Sequence, residues 1–404
     1  MLMDAVIKKV TPSKEEINLL NSITSNVLSK IRRALLDFGV AADAVIAGSF
    51  AKGTWLKGAH DIDFFIKFIN EDDMRVFPKV IKFCFPKALC LKGTRDYYSI
   101  NYKGYNLEFV PVLKLQSPSQ AVNSMDASCF HVDYVKSRLD PELISQVRLL
   151  KQFFKAQGVY GAESYINGFS GYVTELLMLH FRTFDSFIHH LSSCAPKLFI
   201  DLEGYDPSAN KAINALSSSK TQGPLILIDP VLPTRNAAAS VSNHSFAKIV
   251  LASRLYKIKP SYSFFNVTTR SLKSIKLLCG KRGHYLLTKQ FKVNERKDAF
   301  FSKLSRLLHK MANAFRLYGF VVYDYGFIND GTVFLELNTS LLPVSYRAMG
   351  PYPWQPGDDF NNFIKKHSKS INGPYIRGLR VCFDIKRKYT SAKQLFNYLL
   401  SIIK

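Results

Sequence analysis

Paired cysteines are missing from this 404-residue chain: its six cysteines are scattered, and none belongs to a CxxC pair. This spacing argues against a zinc site and a disulfide framework, and it fits a reducing cytoplasm. The first residues lack the long apolar run of a signal peptide, and no stretch reaches the roughly 18 uninterrupted apolar residues of a membrane span. Solenoid repeats and low-complexity tracts are also missing. We therefore expect a cytoplasmic protein without a membrane partner.

Acidic residues are scarce, because 31 Asp and Glu face 55 Lys and Arg, which gives a formal net charge of +24. Such an excess favours a polyanionic partner, usually nucleic acid. The alternative is a charge chosen for solubility or for an unusual internal medium. Apolar residues make up 47% and charged residues 21% of the chain, which is typical of a folded soluble protein. The length predicts two to four domains.

Two of the scarce acids lie close together in "GSFAKGTWLKGAHDIDFFIKF", which runs from Gly48 to Phe68. On a strand, Asp61 and Asp63 would share one face about 7 Å apart, with Ile62 pointing into the core. Two such carboxylates can share divalent cations in phosphoryl transfer. Gly48 allows a phosphate to approach the backbone closely, and Ser49 with the following turn can cradle a triphosphate.

Glu108, in the apolar segment "LEFVPV", is the candidate third carboxylate. An acid in such a strand is costly unless it is paired or bound to a cation. The GS and DxD patterns are each weak, and the alternative for DxD is a surface strand with two solvated acids. In combination with Glu108 they predict a nucleotidyltransferase active site.

The secondary structure around these motifs follows from periodicity and turn signals. Ser13, with Glu16 three residues later, predicts a capping box at the start of a long helix. "AVIAGS" and "IDFFIKF" predict strands, and "YYSINYKGYNLEFVPVLKL" predicts a hairpin, so the first ~125 residues form an α/β unit with a mixed sheet. Two further helices are predicted, one in "ISQVRLLKQFFKAQGV" and a single one in "FSGYVTELLMLHFRTFDSFIHHL". From about 210 to 233 the chain is rich in Ser, Asn, Gly and Pro, and "VVYDYGFINDGTVFLEL" predicts a hairpin.

The region from about 257 to 375 mixes basic residues with aromatic ones, among them Tyr262, Phe264, Phe265, Tyr285 and Phe291. This mixture suits phosphate contacts and stacking on unpaired bases. Core aromatics with solvated lysines are the alternative.

Nearly the whole chain resembles the archaeal-type (class I) CCA-adding enzymes, tRNA nucleotidyltransferases of the DNA polymerase β-like superfamily. Besides the catalytic motifs, the resemblance rests on "SCFHVDYV", "VRLLKQFFKAQGVYGAESYINGFSGYVTELL", "IDPVLPTRNAAASVS" and "GPYIRGLRVCFDIKRKYTSAKQL". It implies an α+β multidomain fold: a polymerase β-like domain with a mixed sheet, a helical central domain, and a mixed α/β RNA-binding body and tail. The implied boundaries are 1–127 for the catalytic head, 128–256 completed by 375–404 for the central neck, and 257–374 for the body and tail.

The resemblance implies template-independent addition of C, C and A to the tRNA 3′ end from CTP and ATP. Asp61, Asp63 and Glu108 would be catalytic and would bind two Mg²⁺ ions, although the family usually has Asp where Glu108 stands. The nucleotide would be bound by Gly48, Ser49, Lys52, Ser128, His131, Lys151, Tyr160 and Arg235. Without the resemblance, a solvated helix face is the favoured interpretation of Lys151. For His131 a structural histidine is an equal alternative, and for Tyr160 a core position is the alternative to stacking on a ribose or base.

Arg235 is implied to face the incoming base. Its planar fork can pair with a Watson–Crick edge, and we hypothesise that it accepts cytosine and adenine and refuses uracil and guanine. The implied partners are CTP, ATP and the acceptor stem, 3′ end and T-loop side of tRNA, with monomer and homodimer both open. The rival predictions are another RNA 3′-nucleotidyltransferase, such as a poly(A) polymerase or an oligoadenylate synthetase-like enzyme, and an inactive tRNA-binding protein.

Overall fold

The computed structural model describes residues 2–93, 95–121, 123, 125–205, 221–293 and 296–402. The chain divides into two compact units, Met1–Val267 and Thr268–Lys404. We describe each unit by itself.

The first unit begins with a five-stranded mixed sheet. Its strands are β1 Ala42–Ile46, β2 Asp61–Phe68, β3 Leu89–Leu91, β4 Tyr97–Tyr102 and β5 Tyr105–Leu113, in the order β1-β2-β5-β4-β3. Only the β2–β5 pair is parallel. The predicted mixed sheet and the β4–β5 hairpin are confirmed.

Alternation along β2 explains which face of the sheet is buried. Ile62, Phe64, Ile66 and Phe68 pack into one hydrophobic core together with residues of the second helix, so the residues between them are left for the other face. The helices of this part of the chain are α1 Leu2–Val10, α2 Lys14–Asp37, α3 Gly48–Ala51 and α4 Phe77–Cys84, with a 3₁₀ turn at Asp72–Val76.

The predicted start of α2 is confirmed, because the Ser13 side chain accepts a hydrogen bond from the Glu16 N–H at 3.2 Å. This contact satisfies one of the unpaired amides at the helix start.

The rest of the first unit is mainly helical. Its helices are α5 Ser128–Lys136, α6 Pro141–Ala156, α7 Gly171–Phe181, α8 Phe184–Ser193 and α9 Asn243–Ile258, with 3₁₀ turns at Pro118–Gln120 and Tyr262–Phe265. The apolar faces of α6, α7, α8 and α9 share one core, which also takes in residues of α1. The predicted α6 helix is confirmed.

The single helix predicted over 169–191 is wrong, because α7 and α8 are separate helices. Arg182 adopts φ +64°, which ends α7, and the Thr183 side chain then caps α8 by accepting from the Ser186 N–H. A left-handed residue cannot continue a right-handed helix, and hydrophobic periodicity alone did not reveal this break.

The polar segment predicted from about 210 to 233 lies partly outside the described residues, which leave out 206–220. Its described part contains strand β7 Leu225–Leu227, which pairs in parallel with β6 Leu198–Ile200. Of the predicted aromatic residues, Phe265 is buried in the core of the first unit, whereas Tyr262 is exposed.

The second unit contains two three-stranded antiparallel sheets. One has the order β8-β10-β9, with β8 Tyr285–Gln290, β9 Val322–Phe327 and β10 Thr332–Leu337; the other has the order β11-β13-β12, with β11 Ser345–Met349, β12 Asn372–Arg377 and β13 Arg380–Lys386. Its helices are α10 Leu272–Lys281, α11 Lys297–Leu317, α12 Asp359–Lys366 and α13 Ala392–Ile402.

The core of this unit lies between α11, α13 and the first sheet, and the predicted β9–β10 hairpin is confirmed. The C-terminal helix α13 contributes Leu395, Phe396 and Leu399 to this core. The three-part division of the chain, with 375–404 completing a central domain, stays a prediction. None of the helices in the described ranges is both long and apolar enough to cross a membrane.

Candidate active site

The predicted carboxylates lie at neighbouring positions of the central parallel strand pair. In the β2–β5 register, Asp61 stands opposite Asn106 and Asp63 stands opposite Glu108. Paired strands are about 4.8 Å apart, so the fold brings Glu108 directly beside Asp63. Ile62 is buried on the other face, as predicted.

Asn106 connects the carboxylates. Its side-chain amide lies 3.1 Å from Asp61 Oδ1 and 3.4 Å from Glu108 Oε1, and its carbonyl accepts from the Ser99 hydroxyl at 2.7 Å. An amide held in this way separates two negative charges and orients both.

Asp63 is the carboxylate with the most strongly altered environment. Burial raises its pKa to about 6, and the charge of Asp61 adds to this effect while Lys52 opposes it. Gly48 explains how the following turn can lie so close: it adopts φ +60°, and a Cβ built there would lie 1.8 Å from Asp63 Oδ2. A side chain at position 48 would therefore collide with this carboxylate.

A pocket of about 480 Å³ opens beside Asp63. Every residue predicted to bind the nucleotide lines it: Gly48, Ser49, Lys52, Ser128, His131, Lys151, Tyr160 and Arg235. These residues come from distant parts of the sequence, so the fold of the first unit assembles them.

Glu175 lines the same pocket beside Lys52 and is fully buried. It forms an ion pair with Lys52, accepts from Lys151 Nζ at 3.0 Å and accepts from the Thr54 hydroxyl at 2.5 Å. Burial would raise the pKa of Glu175, but the charges of Lys151 and Lys52 and the hydrogen bonds of Lys52 and Thr54 bring it down to about 2. One ionised carboxylate thus holds two ammonium groups, which leaves a net positive charge facing the pocket.

Lys151 is buried on α6, and not solvated as its position on a helix face alone would suggest. Its Nζ contacts Thr54 O at 3.2 Å, Thr54 Oγ1 at 2.9 Å and Glu175 Oε1 at 3.0 Å. An ammonium group has three N–H donors, so contacts within the protein use all three. Arg148, one turn earlier, donates to Gly53 O and Trp55 O, and α6 thereby fixes the loop that follows Ser49.

Asp229 lies under the Arg235 end of the pocket and is also fully buried. It accepts hydrogen bonds from Arg235 and from the Tyr172 hydroxyl, and His131 Nε2 lies 3.0 Å from its Oδ2. Burial would raise the pKa of Asp229, but His131, the Val231 N–H and Arg235 lower it to about 2. Asp229 therefore carries a negative charge at neutral pH.

Tyr160 also lines the pocket, and burial raises the pKa of its phenol. Lys155 Nζ lies 5.4 Å from the centre of its ring. Burial and the charge of Lys151 lower the pKa of Lys155, whereas Asp61 raises it. The ammonium group of Lys155 lies against the Tyr160 ring.

The second unit has its own cavity, of about 600 Å³. Its lining contains four basic residues and no acidic residue: Arg347, Lys386, Arg387 and Lys388, with Leu317, Tyr318, Gly319 and Tyr346. The Arg387 guanidinium lies 5.0 Å from the centre of the Tyr346 ring and donates to Tyr318 O.

Three family models match successive parts of the chain. A nucleotidyltransferase domain matches residues 28–125, the second domain of tRNA nucleotidyltransferase matches 145–266, and the C-terminal domain of the CCA-adding enzyme matches 282–403.

Curated relatives match almost the whole chain. A CCA-adding enzyme of Nanoarchaeum equitans is 35% identical over 333 residues, which cover 81% of this chain and 80% of that protein. The CCA-adding enzymes of Sulfurisphaera tokodaii and Pyrobaculum aerophilum are 30% and 29% identical, and each match covers 98% of this chain and 91% and 92% of the relative. The chain belongs to the CCA-adding enzymes.

Solved structures outside this family share the fold. A structure described as a cytoplasmic RNA terminal U-transferase and one of the Cid1 RNA terminal uridylyl transferase each have a TM-score of 0.51 and 14% identity, covering 66% of this chain and 98% of theirs. The predicted fold class is confirmed: a nucleotidyltransferase domain with a mixed sheet, a helical second domain and an α/β C-terminal region.

Sequence reasoning missed four residues of this CCA-adding enzyme's pocket region: Asn106, Tyr172, Glu175 and Asp229. Glu175 and Asp229 lie in segments that carried the family resemblance, and each is an acid within an apolar run, the same signal that singled out Glu108. Tyr172 also lies in one of these segments, but its own residue type does not single it out. Asn106 stands at an ordinary polar position outside them, and no feature of the sequence marks it.

Proposed function

We propose that this chain adds C, C and A to the 3′ end of tRNA from CTP and ATP without a nucleic-acid template. Membership of the CCA-adding enzymes is the observation that carries this proposal. The pocket supports it, because the cationic side chains at one end and the arginine at the other suit the triphosphate and the base of one nucleotide.

The reaction is the attack of the tRNA 3′-hydroxyl on the α-phosphorus, with pyrophosphate as the leaving group. Such catalysis consists largely of positioning and charge stabilisation. Ser49 and Lys52 would hold the triphosphate. Lys151, whose donors are already used, would contribute positive charge and hold the loop in place. This arrangement would leave the α-phosphorus next to Asp61, Asp63 and Glu108.

The carboxylate set fits divalent metal ions, and we assign it two Mg²⁺. Oxygen ligands suit Mg²⁺, and a cation would relieve the repulsion that helps raise the pKa of Asp63. Within the described residues, no group of three or more His, Cys, Asp or Glu side chains is arranged to hold a metal ion by itself, so phosphate oxygens and water would supply the remaining ligands. The bound ions would activate the attacking hydroxyl and neutralise charge on the phosphates.

The other end of the pocket would hold the nucleoside. Arg235 would pair with the base edge, Tyr160 would stack on the ribose or base, and Ser128 and His131 would contact the sugar–phosphate part. These roles suit the planar guanidinium and the aromatic ring.

The second unit would bind the tRNA. Its cavity presents four basic side chains beside two tyrosines, which is the chemistry that phosphates and stacked bases require. We assign it to the backbone of the tRNA, on the acceptor stem or the T-loop side. A cytoplasmic location and a choice between monomer and homodimer stay predictions.

The decisive experiment uses tRNA that ends at the discriminator base, with Mg²⁺ and CTP plus ATP, or each NTP separately. The expected product of the CTP and ATP mixture is longer by three residues and no more. A long homopolymer would favour a poly(A) polymerase, and bound tRNA without incorporation would favour an inactive tRNA-binding protein.

Asp61→Asn and Asp63→Asn should each lower incorporation at least about 10³-fold, because each removes charge where the metal ions would bind. The exposed residue Asp72, in the same domain, gives the matched control Asp72→Asn. Affinity for tRNA, measured by filter binding, should stay within about twofold in all three variants. Loss of tRNA binding in parallel with activity would contradict this division of roles.

A further inference from the structure

Asp229 joins three side chains of the pocket. Its Oδ2 accepts from Arg235 Nη1 at 2.6 Å and lies 3.0 Å from His131 Nε2, and its Oδ1 accepts from the Tyr172 hydroxyl at 3.0 Å. All three partners line the pocket, whereas Asp229 does not. A buried carboxylate behind the pocket wall thus fixes several groups of that wall.

The backbone between Asp229 and Arg235 is organised by the same residue. The Asp229 N–H donates to Arg235 O at 3.0 Å, and Asp229 Oδ1 accepts from the N–H groups of Val231 and Leu232. Pro230 and Pro233 restrict φ within this loop. Asp229 therefore holds both the backbone and the side chain of Arg235.

Contacts to both the backbone and the side chain of Arg235 matter because this residue is partly exposed. The Arg235 side chain is 35% exposed to solvent, whereas the Asp229 side chain is not exposed at all. A free arginine side chain samples many rotamers, and fixing it costs conformational entropy. Base discrimination by hydrogen bonds depends on the direction of each N–H group. One N–H given to Asp229 fixes the plane of the guanidinium and so the directions of the remaining donors.

We infer that Asp229 is a positioning residue for base selection, which orients the Arg235 guanidinium so that the pocket accepts cytosine and adenine and refuses uracil and guanine. The inference rests on the proposed function and on the assignment of Arg235 to the incoming base. Asp229 acts through Arg235 and touches no substrate.

The test compares Asp229→Asn, Arg235→Ala and the double variant in the full chain. Asn keeps the size of the side chain and an acceptor for the Val231 and Leu232 N–H groups, but it removes the charge that holds Arg235. The ratio of kcat/KM for CTP over UTP should fall at least about tenfold in each single variant, a change typical of one lost base contact. The double variant should fall no more than about twofold below Arg235→Ala, because both changes act on one guanidinium.

Asp126→Asn is the matched control. Asp126 is also fully buried and paired with an arginine, Arg95, but it does not line the pocket. Its variant should lose stability and keep the CTP-to-UTP ratio within about twofold. The inference is overturned if Asp229→Asn keeps the ratio while losing stability, or if the two single losses multiply in the double variant.

NMR spectra of the wild-type chain test the inference even if the Asp229→Asn variant does not fold. In ¹⁵N-arginine spectra, the Arg235 signals are assigned by their loss in Arg235→Ala. They should show hindered rotation of the guanidinium, in contrast to the exposed Arg75. Fast averaging at Arg235 would overturn the inference. A wild-type chain that incorporates neither nucleotide would refute the proposed function, and these spectra would still show whether the Arg235 guanidinium is held in a fixed orientation.

Discussion

At the scale of single residues, the cationic side chains of the pocket are paired with two buried carboxylates, one in the pocket lining and one behind it. Glu175 forms ion pairs with Lys52 and Lys151. Asp229 forms an ion pair with Arg235 and contacts His131. A buried cationic side chain without a carboxylate partner would lose its proton or would move towards solvent. The two acids therefore allow several cationic side chains to stand close together around one nucleotide-sized space.

Glu175 should make the stability of the first unit depend on pH in the acid range. Its pKa falls from 4.5 to about 2 on folding, so its contribution is complete above about pH 4.5 and is lost as the pH falls through about 2. This shift corresponds to about 3 kcal/mol. The difference in unfolding free energy between wild type and Glu175→Gln should shrink by this order between pH 6 and pH 2, and urea titrations at each pH measure it.

Glu142→Gln, at an exposed position in the first turn of α6, is the control for this titration. Its difference from wild type should stay within about 0.5 kcal/mol at each pH. A Glu175→Gln difference that stays constant across the range would contradict the assigned charge of Glu175.

At the scale of elements, α6 connects the sheet domain to the helical part of the first unit. It carries Lys151 and Arg148, which hold the loop after Ser49 at Thr54, Gly53 and Trp55. The start of α6 is well defined, since Asp140 accepts from the Leu143 N–H at 2.8 Å and Pro141 follows at the first helical position. A proline there costs the helix no hydrogen bond.

Loss of this N-cap should destabilise the first unit. Asp140→Ala is expected to cost about 1 kcal/mol, whereas Asp185→Ala, in the first turn of α8 but not at its cap, should cost under about 0.5 kcal/mol. The chain has two tryptophans, and in a Trp354→Phe background the buried Trp55 reports urea unfolding of the first unit. Equal losses in the two variants would show that the Asp140 cap contributes nothing specific.

At the scale of the whole molecule, the net charge of +24 should dominate the encounter with RNA. Phosphate contacts release counterions, so tRNA affinity should fall by about 10³-fold between 50 and 200 mM salt if about six contacts form. Lys386→Ala and Lys388→Ala, in the basic cavity of the second unit, should each lower the slope of log affinity against log salt by about 1. Filter binding across a salt series measures this slope.

Lys79→Ala is the control for these variants, because Lys79 is exposed on α4 in the first unit and lines neither cavity. Its slope should match the wild-type slope. Unchanged slopes in both cavity variants would mean that this cavity does not contact the phosphates of the tRNA.

The three carboxylates of the site could be predicted from the sequence, because each is marked by a pattern of a few neighbouring residues. Strand alternation placed Asp61 and Asp63 on one face, and an acid within an apolar strand marked Glu108. The break between α7 and α8 could not be predicted, because it depends on the positive φ of a single non-glycine residue, Arg182. Periodicity continues through such a position, and only the backbone reveals the change of direction.

The sequence by itself determined the catalytic strand pattern, the family and the basic character of the chain, since each depends on residue types and short spacings. Only the tertiary structure decided which groups support them. Lys52 and Glu175 are 123 positions apart, and no short-range pattern connects two such residues. Their contact exists because α3 and α7 belong to parts of the chain that pack together, and that packing gives a buried carboxylate its partners.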